Sequence, residues 1–366
     1  MRKWLISFCS LFFLYSFVFG QTQYLLAGTY TDNSTSEGIY VFEFDPQTGT
    51  LSKHSIAKTG NPSFLAVSND GKFVYSVNEF DEGAVSAFAF DKKSGTLNFI
   101  NSQKSNGSSP CYVSLDKTEK WLFCGNYSSG DLGLFPIESN HSLGGLKQFV
   151  KHSGSGLVLD RQGSPHVHCT IVSNDNKFLY VPDLGIDKVM IYPFNATTGL
   201  LDERKKLFAT VDPGGGPRHI IFSKNNKYAY LIEEMSGTVS VFEQKNGRLE
   251  LVQQLNKLDS KVSNAGGDIH LSPDGRFLYV SQRSNSTIQV FKVNSKSGKI
   301  GYIGAQPTLG NFPRNFTIHP SGNFLLVANQ LSNDIVIFKI NKKTGLLTFT
   351  GQKLELGKPV CLKWIL

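Results

Sequence analysis

The chain has 366 residues and a formal net charge of +8, from 37 Lys and Arg residues against 29 Asp and Glu residues. The basic residues are scattered through turns and form no dense run, which argues against a nucleic-acid-binding protein and for an ordinary solvated surface. Length alone would suggest two domains, but the chain carries an internal repeat, and repeat architectures do not follow that rule.

The first twenty residues have the pattern of an exported protein. Arg2 and Lys3 precede an apolar run that continues to Phe19, and the small residue Gly20 ends it. This is the order of regions in a secretory signal. A transmembrane anchor is the alternative, but the run is short for a full span. We therefore predict a signal peptide at 1–20 and a periplasmic or extracellular protein without stable membrane insertion after cleavage.

From residue 24 onward, three sequence landmarks each recur seven times. The first is a strand that ends near a polar pair, at 24–30, 73–79, 121–127, 178–184, 228–234, 277–283 and 324–330. The second is a tight turn whose glycine precedes an aliphatic residue, at Gly49, Gly95, Gly145, Gly199, Gly247, Gly298 and Gly345. The third is a proline that opens a short strand, at Pro62, Pro110, Pro165, Pro217, Pro313 and Pro359, with Gly266 standing in once.

These landmarks predict an all-β, seven-bladed β-propeller with four antiparallel strands per blade. Short runs rich in Val, Ile, Phe and Tyr alternate with turn residues, and four short strands per repeat of this length are typical of propeller blades. The first repeat lacks its proline-led strand, and the chain finishes with one at 359–365. We predict that this strand completes the blade of residues 24–55 and closes the ring, within one domain at 21–366.

The cysteines downstream of the predicted signal indicate no metal or disulfide framework. Cys111 and Cys124 lie on neighbouring predicted strands but in diagonal rather than opposed positions, so a bridge between them is conceivable and not predicted. Buried free thiols are the expectation for these residues.

Several short strings resemble the lactonase family of propellers related to 6-phosphogluconolactonase, over nearly the whole mature chain. They are GTYT (28–31), GIYVFEFD (38–45), SPHVHC (164–169), VPDLGIDKV (181–189), GGGPRH (214–219), LYVSQR (278–283), FPRNF (312–316) and ANQ (328–330). One departure is Gln282, where the family leads us to expect Asn. The family is similar in fold to a fungal enzyme that cyclises carboxymuconate, so the resemblance implies lactone opening or closing.

Aligning the repeats gives two columns of residues that we expect at one mouth of the central channel, because innermost strands face the axis and strand ends rim the mouth. Counted back from each following turn, the position after the proline landmark holds Ser63, Cys111, His168, Arg218, Gly267, Arg314 and Val360; the third repeat carries two extra residues, so His168 rather than His166 falls here. The end of the second strand holds Tyr30, Glu79, Tyr127, Leu184, Glu234, Arg283 and Gln330. Repeats with only a structural role should have similar residues at each of these positions, but the residues in the two columns differ from repeat to repeat.

The unlike residues of the two columns suit lactone hydrolysis. A His or Glu can deprotonate the attacking water, help that is typically worth ~10²–10⁴ in rate, and arginines can stabilise the oxyanion and hold an acidic substrate group. The family resemblance implies catalytic roles for His168, Arg218, Glu234 and Arg283, which we predict in one pocket. We add as substrate-binding candidates Glu79, His166, Asp183, Arg314 and Gln330. Which of His168 and Glu234 is the base remains open.

Each candidate also has a structural explanation. Glu234 with Arg218, or Glu79 alone, could belong to an ion network, and His166 could be a turn residue. Asp183 is expected to cap a turn if it has no site role. Asp187 and Lys188 are expected to form a surface pair, and His219 and His270 are expected to be structural.

The sequence thus predicts a secreted lactonase, a carboxylic ester hydrolase, that acts as a monomer on a small acidic sugar lactone. The substrate would be 6-phosphogluconolactone-like or an aldono- or uronolactone, and neither a cofactor nor a metal is expected. The alternatives are a non-catalytic binding or surface propeller of the YVTN-like type, and a cyclase that forms a muconate lactone.

Overall fold

The computed structural model describes residues 23–255 and 265–365, and the predicted signal peptide lies outside these residues. The described chain forms seven antiparallel sheets. We number the blades in chain order and begin with the blade that contains the first strand.

The first three blades each have four strands. Blade 1 contains β1 (Gln23–Thr29), β2 (Gly38–Phe44) and β3 (Leu51–Lys58), together with an innermost strand from the far end of the sequence. Blade 2 contains β4 (Leu65–Val67), β5 (Phe73–Asn78), β6 (Ala84–Asp91) and β7 (Thr96–Lys104). Blade 3 contains β8 (Pro110–Leu115), β9 (Trp121–Asn126), β10 (Asp131–Pro136) and β11 (Gln148–Lys151).

Blade 4 differs from the others because a short 3₁₀ turn, Glu203–Lys205, interrupts its outer edge. Its strands are β12 (Ile171–Val172), β13 (Phe178–Asp183), β14 (Lys188–Asn195), β15 (Leu200–Leu201) and β16 (Leu207–Thr210). Both β15 and β16 pair with β14, so together they replace the single outer strand of a regular blade. A second 3₁₀ turn, Leu184–Ile186, connects β13 to β14.

The last three blades are regular again. Blade 5 contains β17 (Pro217–Phe222), β18 (Tyr228–Glu233), β19 (Val239–Lys245) and β20 (Arg248–Leu255). Blade 6 contains β21 (Gly266–Leu271), β22 (Phe277–Gln282), β23 (Thr287–Val293) and β24 (Ile300–Pro307). Blade 7 contains β25 (Pro313–Ile318), β26 (Phe324–Asn329), β27 (Asp334–Ile340) and β28 (Leu347–Glu355), and the final strand is β29 (Pro359–Ile365).

The ring is closed in the way the sequence predicts. Strand β29 pairs antiparallel with β1, with Leu26 opposite Lys363 and Gly28 opposite Cys361, so blade 1 has the order β29-β1-β2-β3. Neighbouring blades contact one another around the full circle through their inner strands: β29 contacts β4 on one side and β25 on the other, and between blades 4 and 5 the contact is from β17 to β13. The predicted seven-bladed propeller is therefore confirmed.

Six of the seven tight-turn glycines of the repeat lie in the seams between blades; the exception is Gly145, where a β-carbon would meet no atom within 4 Å. Gly298 has φ +68°, and a β-carbon on it would collide with the ring of Tyr228 at the start of β18 in the preceding blade. Gly199 faces Trp121 in the same way, and Gly345 faces Phe277. At these six positions glycine is favoured because the turn needs a left-handed conformation and the neighbouring ring needs the space.

The mouth segment, which we define as residues 153–166, connects blade 3 to blade 4 and contains the one-turn helix α1 (Leu159–Gln162). Gln162 fixes this segment, because its buried side chain donates to the carbonyl oxygen of Leu184 (2.8 Å) and to the carboxylate of Asp187 (2.7 Å). The backbone of Gly156 donates to the carbonyl oxygen of Gln162 (2.9 Å). The segment is therefore held against blade 4 at the mouth of the channel.

The four cysteines of the described residues, Cys111, Cys124, Cys169 and Cys361, are all buried and free, as expected. Among the described helices, none has the length and apolar character needed to cross a membrane.

Candidate active site

A small cavity lies on the axis of the propeller, and its wall is built from the first of the two sequence columns. Six of the seven column residues line it, namely Ser63, Cys111, His168, Arg218, Arg314 and Val360. The seventh, Gly267, contributes its carbonyl oxygen, which accepts a hydrogen bond from Arg218 Nη1 (2.6 Å). One position per blade thus converges on the axis, as the propeller geometry requires.

Glu234 is the centre of the charged cluster at one mouth of this cavity. Its Oε2 lies 2.9 Å from Arg218 Nε, 3.0 Å from Arg283 Nη2 and 3.6 Å from His168 Nε2. Its Oε1 accepts a hydrogen bond from Arg161 Nη2 (2.7 Å). The structure therefore brings together all four residues predicted to be catalytic, with His168, Arg218 and Arg283 around the carboxylate of Glu234.

The local backbone explains how Arg218 and Glu234 meet. The register of β17 and β18 shifts between Pro217 and His219, so Arg218 occupies a bulge. Glu234 follows the last residue of β18, and its backbone N–H donates to the carbonyl oxygen of Gly216 (2.6 Å). A bulge re-aims a side chain next to a strand end, and here it directs the guanidinium along the rim towards the carboxylate.

The electrostatics of the cluster are dominated by burial and by the arginines. Burial alone would raise the pKa of Glu234, but the charges of Arg283 and Arg218 outweigh it and hold the pKa well below its usual value. Burial, and then the charge of Arg218, lowers the pKa of His168 well below its usual value. Burial lowers the pKa of Arg283 to about 10. At neutral pH the cluster therefore pairs an ionised carboxylate with a neutral imidazole.

The far side of the mouth contains two more of the predicted binding residues, Glu79 and Arg314. The hydroxyl of Tyr30 lies 3.0 Å from both oxygens of Glu79, and the hydroxyl of Ser63 donates to the same carboxylate. The guanidinium carbon of Arg314 lies 5.5 Å from the centroid of the Tyr30 ring. Glu79 is half-buried. Its carboxylate is hydrogen-bonded to these two hydroxyls and does not belong to the arginine cluster around Glu234.

His166 forms part of the wall beside the cluster. Its ring stacks on Tyr127, with the centroids 4.5 Å apart, and its Nδ1 donates to the carbonyl oxygen of Tyr127 (2.8 Å). The ring of Tyr127 also meets His168 edge-on at 5.5 Å. His166 thus lines the mouth without contacting Glu234.

Asp183 is fully buried, and its carboxylate is engaged inside the protein. It accepts hydrogen bonds from His152 Nδ1 (2.6 Å), the backbone of His166 (2.7 Å) and the backbone of Gly185 (2.9 Å). This geometry favours the capping role over substrate binding. Gln330 donates from its backbone to Phe312 (3.0 Å), and its side-chain Oε1 is buried without a hydrogen-bond partner among the described residues.

Two acidic residues that position the site differ from the sequence-based expectations. The prediction that Asp187 forms a surface pair is wrong, because Asp187 is buried and accepts hydrogen bonds from Gln162, Gly214 (2.8 Å) and Gly216 (2.9 Å). Asp187 therefore ties the mouth segment to the loop that precedes Arg218. No sequence signal singled it out, since its partners lie in connections between blades.

Asp268, the second of these residues, was not a candidate and lies buried below Arg218. Its two oxygens accept hydrogen bonds from His219 Nδ1 and His270 Nε2, each at 2.8 Å, which agrees with structural roles for both histidines. The amide of Asn315 also donates to it. Burial and the charge of Arg218 lower the pKa of His219 to about 4. Within the described residues, no group of three or more His, Cys, Asp or Glu is arranged to hold a metal ion.

Comparison with known proteins identifies the family of the chain. The family model described as "Lactonase, 7-bladed beta-propeller" matches residues 24–364. The chain belongs to the lactonase family of seven-bladed β-propellers. The prediction of a lactonase is thereby confirmed.

Individual relatives of this lactonase are similar over most of their length. It is 38% identical to the 6-phosphogluconolactonase of Formosa agariphila over 302 residues, which cover 80% of this chain and 86% of the relative. It is 37% identical to the 6-phosphogluconolactonase of Bacillus subtilis, covering 81% and 85%. The crystal structure of the periplasmic gluconolactonase of Pseudomonas aeruginosa superposes with a TM-score of 0.89 at 34% identity, covering 94% of this chain and 99% of that one.

Proposed function

We propose that this lactonase is an exported hydrolase of small acidic sugar lactones. The observation that carries the proposal is the arrangement around Glu234, where an ionised carboxylate, a neutral imidazole and several guanidiniums share one mouth of the channel. The relatives named 6-phosphogluconolactonase and gluconolactonase support a sugar lactone as the substrate.

We infer that His168 accepts the proton of the attacking water. The 3.6 Å between His168 Nε2 and Glu234 Oε2 is too long for a direct hydrogen bond, which suits two acceptors that share one water molecule. His168 Nδ1 lies 3.8 Å from Cys111 Sγ, a weak acceptor for the second ring N–H. Glu234 is a poor base because the arginines stabilise its charged form. Its charge would instead stabilise the imidazolium that forms on His168.

The reaction then follows ordinary ester hydrolysis. The water oxygen bonds to the lactone carbonyl carbon as its proton passes to His168, and the resulting oxyanion accepts hydrogen bonds from Arg283 or Arg218. Collapse of this intermediate breaks the ring C–O bond, and His168 returns its proton to the leaving oxygen. The product is the open hydroxy acid, with no oxidant, reductant or metal needed for balance.

Export is the second part of the proposal and rests on residues 1–20, whose sequence has the order of a secretory signal. The similarity to a periplasmic gluconolactonase supports this location. An exported enzyme would act on an aldonolactone or uronolactone more readily than on 6-phosphogluconolactone, a cytoplasmic metabolite. Intact-mass measurement of the exported protein tests this point: a mature chain that begins near Gln21 is expected, and retention of residues 1–20 would contradict it.

A panel of aldono-, urono- and phosphorylated sugar lactones tests the function, with proton release as the readout. We expect saturable hydrolysis by the wild type, and His168→Asn should lower the rate by about 10²–10⁴-fold. Binding of lactones without hydrolysis by a folded wild-type protein would overturn the proposal in favour of a binding propeller. Closure of an unsaturated dicarboxylate, with no lactone opened, would instead point to a cyclase.

A further inference from the structure

Arg161 is the most solvent-exposed arginine of the mouth. Its side chain is 48% exposed, whereas those of Arg218 and Arg283 are 2% and 5% exposed. It stands on the mouth segment, outside the seven repeats, and it spans the rim by contacting Glu234 Oε1 (2.7 Å) and the hydroxyl of Tyr127 (3.3 Å). The guanidinium therefore lies where the cluster meets solvent.

The other arginines of the mouth are less exposed, and Arg218 and Arg283 are bound to groups of the protein. Arg218 is bound to Glu234 and to the carbonyl oxygen of Gly267, and Arg283 is bound to Glu234 and lies over the ring of Phe312 (5.0 Å). Arg314 is half-buried, with its guanidinium carbon 5.5 Å from the centroid of the Tyr30 ring. Arg161 is the most exposed of the four, and its backbone is fixed because Gln162 anchors the mouth segment to Asp187 and Leu184.

The charges around the mouth also favour an anion. The four guanidiniums outnumber the three carboxylates near them, those of Glu79, Glu234 and Asp268, and His168 is neutral there. An excess of positive charge in a cleft with low-dielectric walls attracts negatively charged ligands. A guanidinium can bind a carboxylate or phosphate through two parallel hydrogen bonds, which adds geometric selectivity.

We propose that Arg161 recognises the anionic substituent of the substrate and exchanges its bond to Glu234 Oε1 for a bond to that substituent. This inference rests on the proposed lactone hydrolysis. It makes Arg161 a specificity-determining residue: an acidic lactone binds the Arg161 guanidinium, whereas with a neutral lactone the guanidinium stays bound to Glu234.

The exchange has a consequence for the chemical step. With Arg161 in place, both oxygens of Glu234 are hydrogen-bonded to guanidiniums. When the substrate anion binds Arg161, the hydrogen bond from Arg161 to Glu234 Oε1 is lost, while two arginines remain on Oε2. Glu234 then becomes a stronger acceptor for the water that it shares with His168. Acidic substrates should therefore have a higher kcat as well as a lower KM than neutral ones, because the contact that binds them also makes Glu234 a stronger hydrogen-bond acceptor.

The test compares 6-phosphogluconolactone with glucono-1,5-lactone in the wild type and in Arg161→Gln. The ratio of kcat/KM for the phosphorylated lactone to kcat/KM for the neutral lactone should fall by about 10- to 100-fold in the variant, the loss expected for charge-assisted hydrogen bonds. Arg161→Lys should restore part of the ratio, since it keeps the charge but not the paired geometry. An unchanged ratio in Arg161→Gln would overturn the inference.

Inorganic phosphate supplies a second test of the exchange. It should accelerate hydrolysis of glucono-1,5-lactone by the wild type, because free phosphate can draw Arg161 from Glu234, and it should have no such effect on Arg161→Gln. Equal acceleration of both proteins would contradict the exchange. The matched control is Arg276→Gln, which removes an exposed arginine from an ion pair with Asp274 (2.7 Å), in a turn at the other end of the strands.

A binding measurement separates the failure of this inference from the failure of the proposed function. Calorimetry should show that the wild type binds 6-phosphogluconate about tenfold or more tightly than gluconate, and that Arg161→Gln loses this preference. If no lactone is hydrolysed but the preference depends on Arg161, the proposed function fails and the anion site stands. If lactones are hydrolysed and the preference does not depend on Arg161, the anion site fails alone.

Discussion

Glu234 illustrates how one buried side chain can organise a site. Three guanidiniums surround it within 3.0 Å, and it compensates the buried charges of Arg218 and Arg283 at once. Removing one partner of a buried ion pair is costly because the remaining charge stays buried without compensation. A role in catalysis and a role in stability are therefore expected together at this position.

Glu234→Gln should lower both activity and stability. We expect a loss of turnover of at least about 10²-fold and a decrease in the free energy of unfolding of about 3 kcal/mol, measured by lactone hydrolysis and chemical denaturation. Glu355→Gln, at an exposed position, is the control and should change neither. A Glu234→Gln protein with full activity would reject its role in the reaction, and loss of stability alone would favour the structural ion network.

Glu233, the neighbour of Glu234, has the opposite electrostatic environment. Burial raises its pKa to about 7, although the hydroxyls of Ser240 (2.6 Å) and Ser236 (2.7 Å) donate to it. The ordinary value is 4.5, so the folded state binds more protons than the unfolded state between these two pH values. The contribution of Glu233 to stability is therefore greatest below pH 4.5 and is lost as the pH rises through about 7.

Glu233→Gln should remove this pH dependence. The free energy of unfolding of the wild type should fall by roughly 3 kcal/mol more than that of the variant between pH 4.5 and pH 7.5. Denaturation at the two pH values measures the difference, and the titration of His219, which changes stability in the opposite direction, is common to both proteins. Parallel pH profiles would show that Glu233 titrates near its ordinary pKa.

The sequence predicted the cluster around Glu234 because repeats define equivalent positions. His168 and Arg218 share one column and Glu234 and Arg283 share the other, so blade geometry alone brings them to one rim. Arg161 and Asp187 could not be found in this way. Both act through connections between blades, where no repeat gives a register and where contacts such as Gln162 with Asp187 depend on the path of a single loop.

At the scale of elements, the repeat predicted the number of blades and their order but not their irregularities. The three landmarks give the same number of blades although each has a separate physical cause. For six of the turn glycines, that cause is a neighbouring ring in the preceding blade. The split outer edge of blade 4 was not predicted, since the 3₁₀ turn Glu203–Lys205 leaves the strand pattern of its flanks intact. The mouth segment escaped prediction because a one-turn helix has no detectable period.

Gly298→Ala should test the seam between blades 5 and 6. The new methyl group would collide with the Tyr228 ring and would sit at φ +68°, so we expect a loss of about 1–3 kcal/mol in the free energy of unfolding. Gly301→Ala, only three residues away, is the matched control, because a β-carbon there meets no atom within 4 Å. Equal stability of the two variants would mean that the seam can adjust to the methyl group.

At the scale of the whole molecule, stability depends on closure of the ring by β29. Deletion of residues 359–366 would leave β1 unpaired on its inner side and would open the contacts of β29 with β4 and β25. We expect the truncated protein to lose cooperative thermal unfolding and to bind hydrophobic dyes, as loosely packed proteins do. A truncated protein with a wild-type unfolding transition would show that closure is dispensable.

The pairing of β1 with β29 also determines when the protein can become complete. During synthesis or translocation β1 emerges long before β29. The inner edge of β1 therefore stays unpaired while the six other blades form. Pairing of such distant segments is slow, and a waiting strand edge can instead pair with another chain. We therefore expect the final step of folding to be concentration-sensitive: high local concentrations of newly made chains would favour aggregation through blade 1, whereas dilution would favour ring closure.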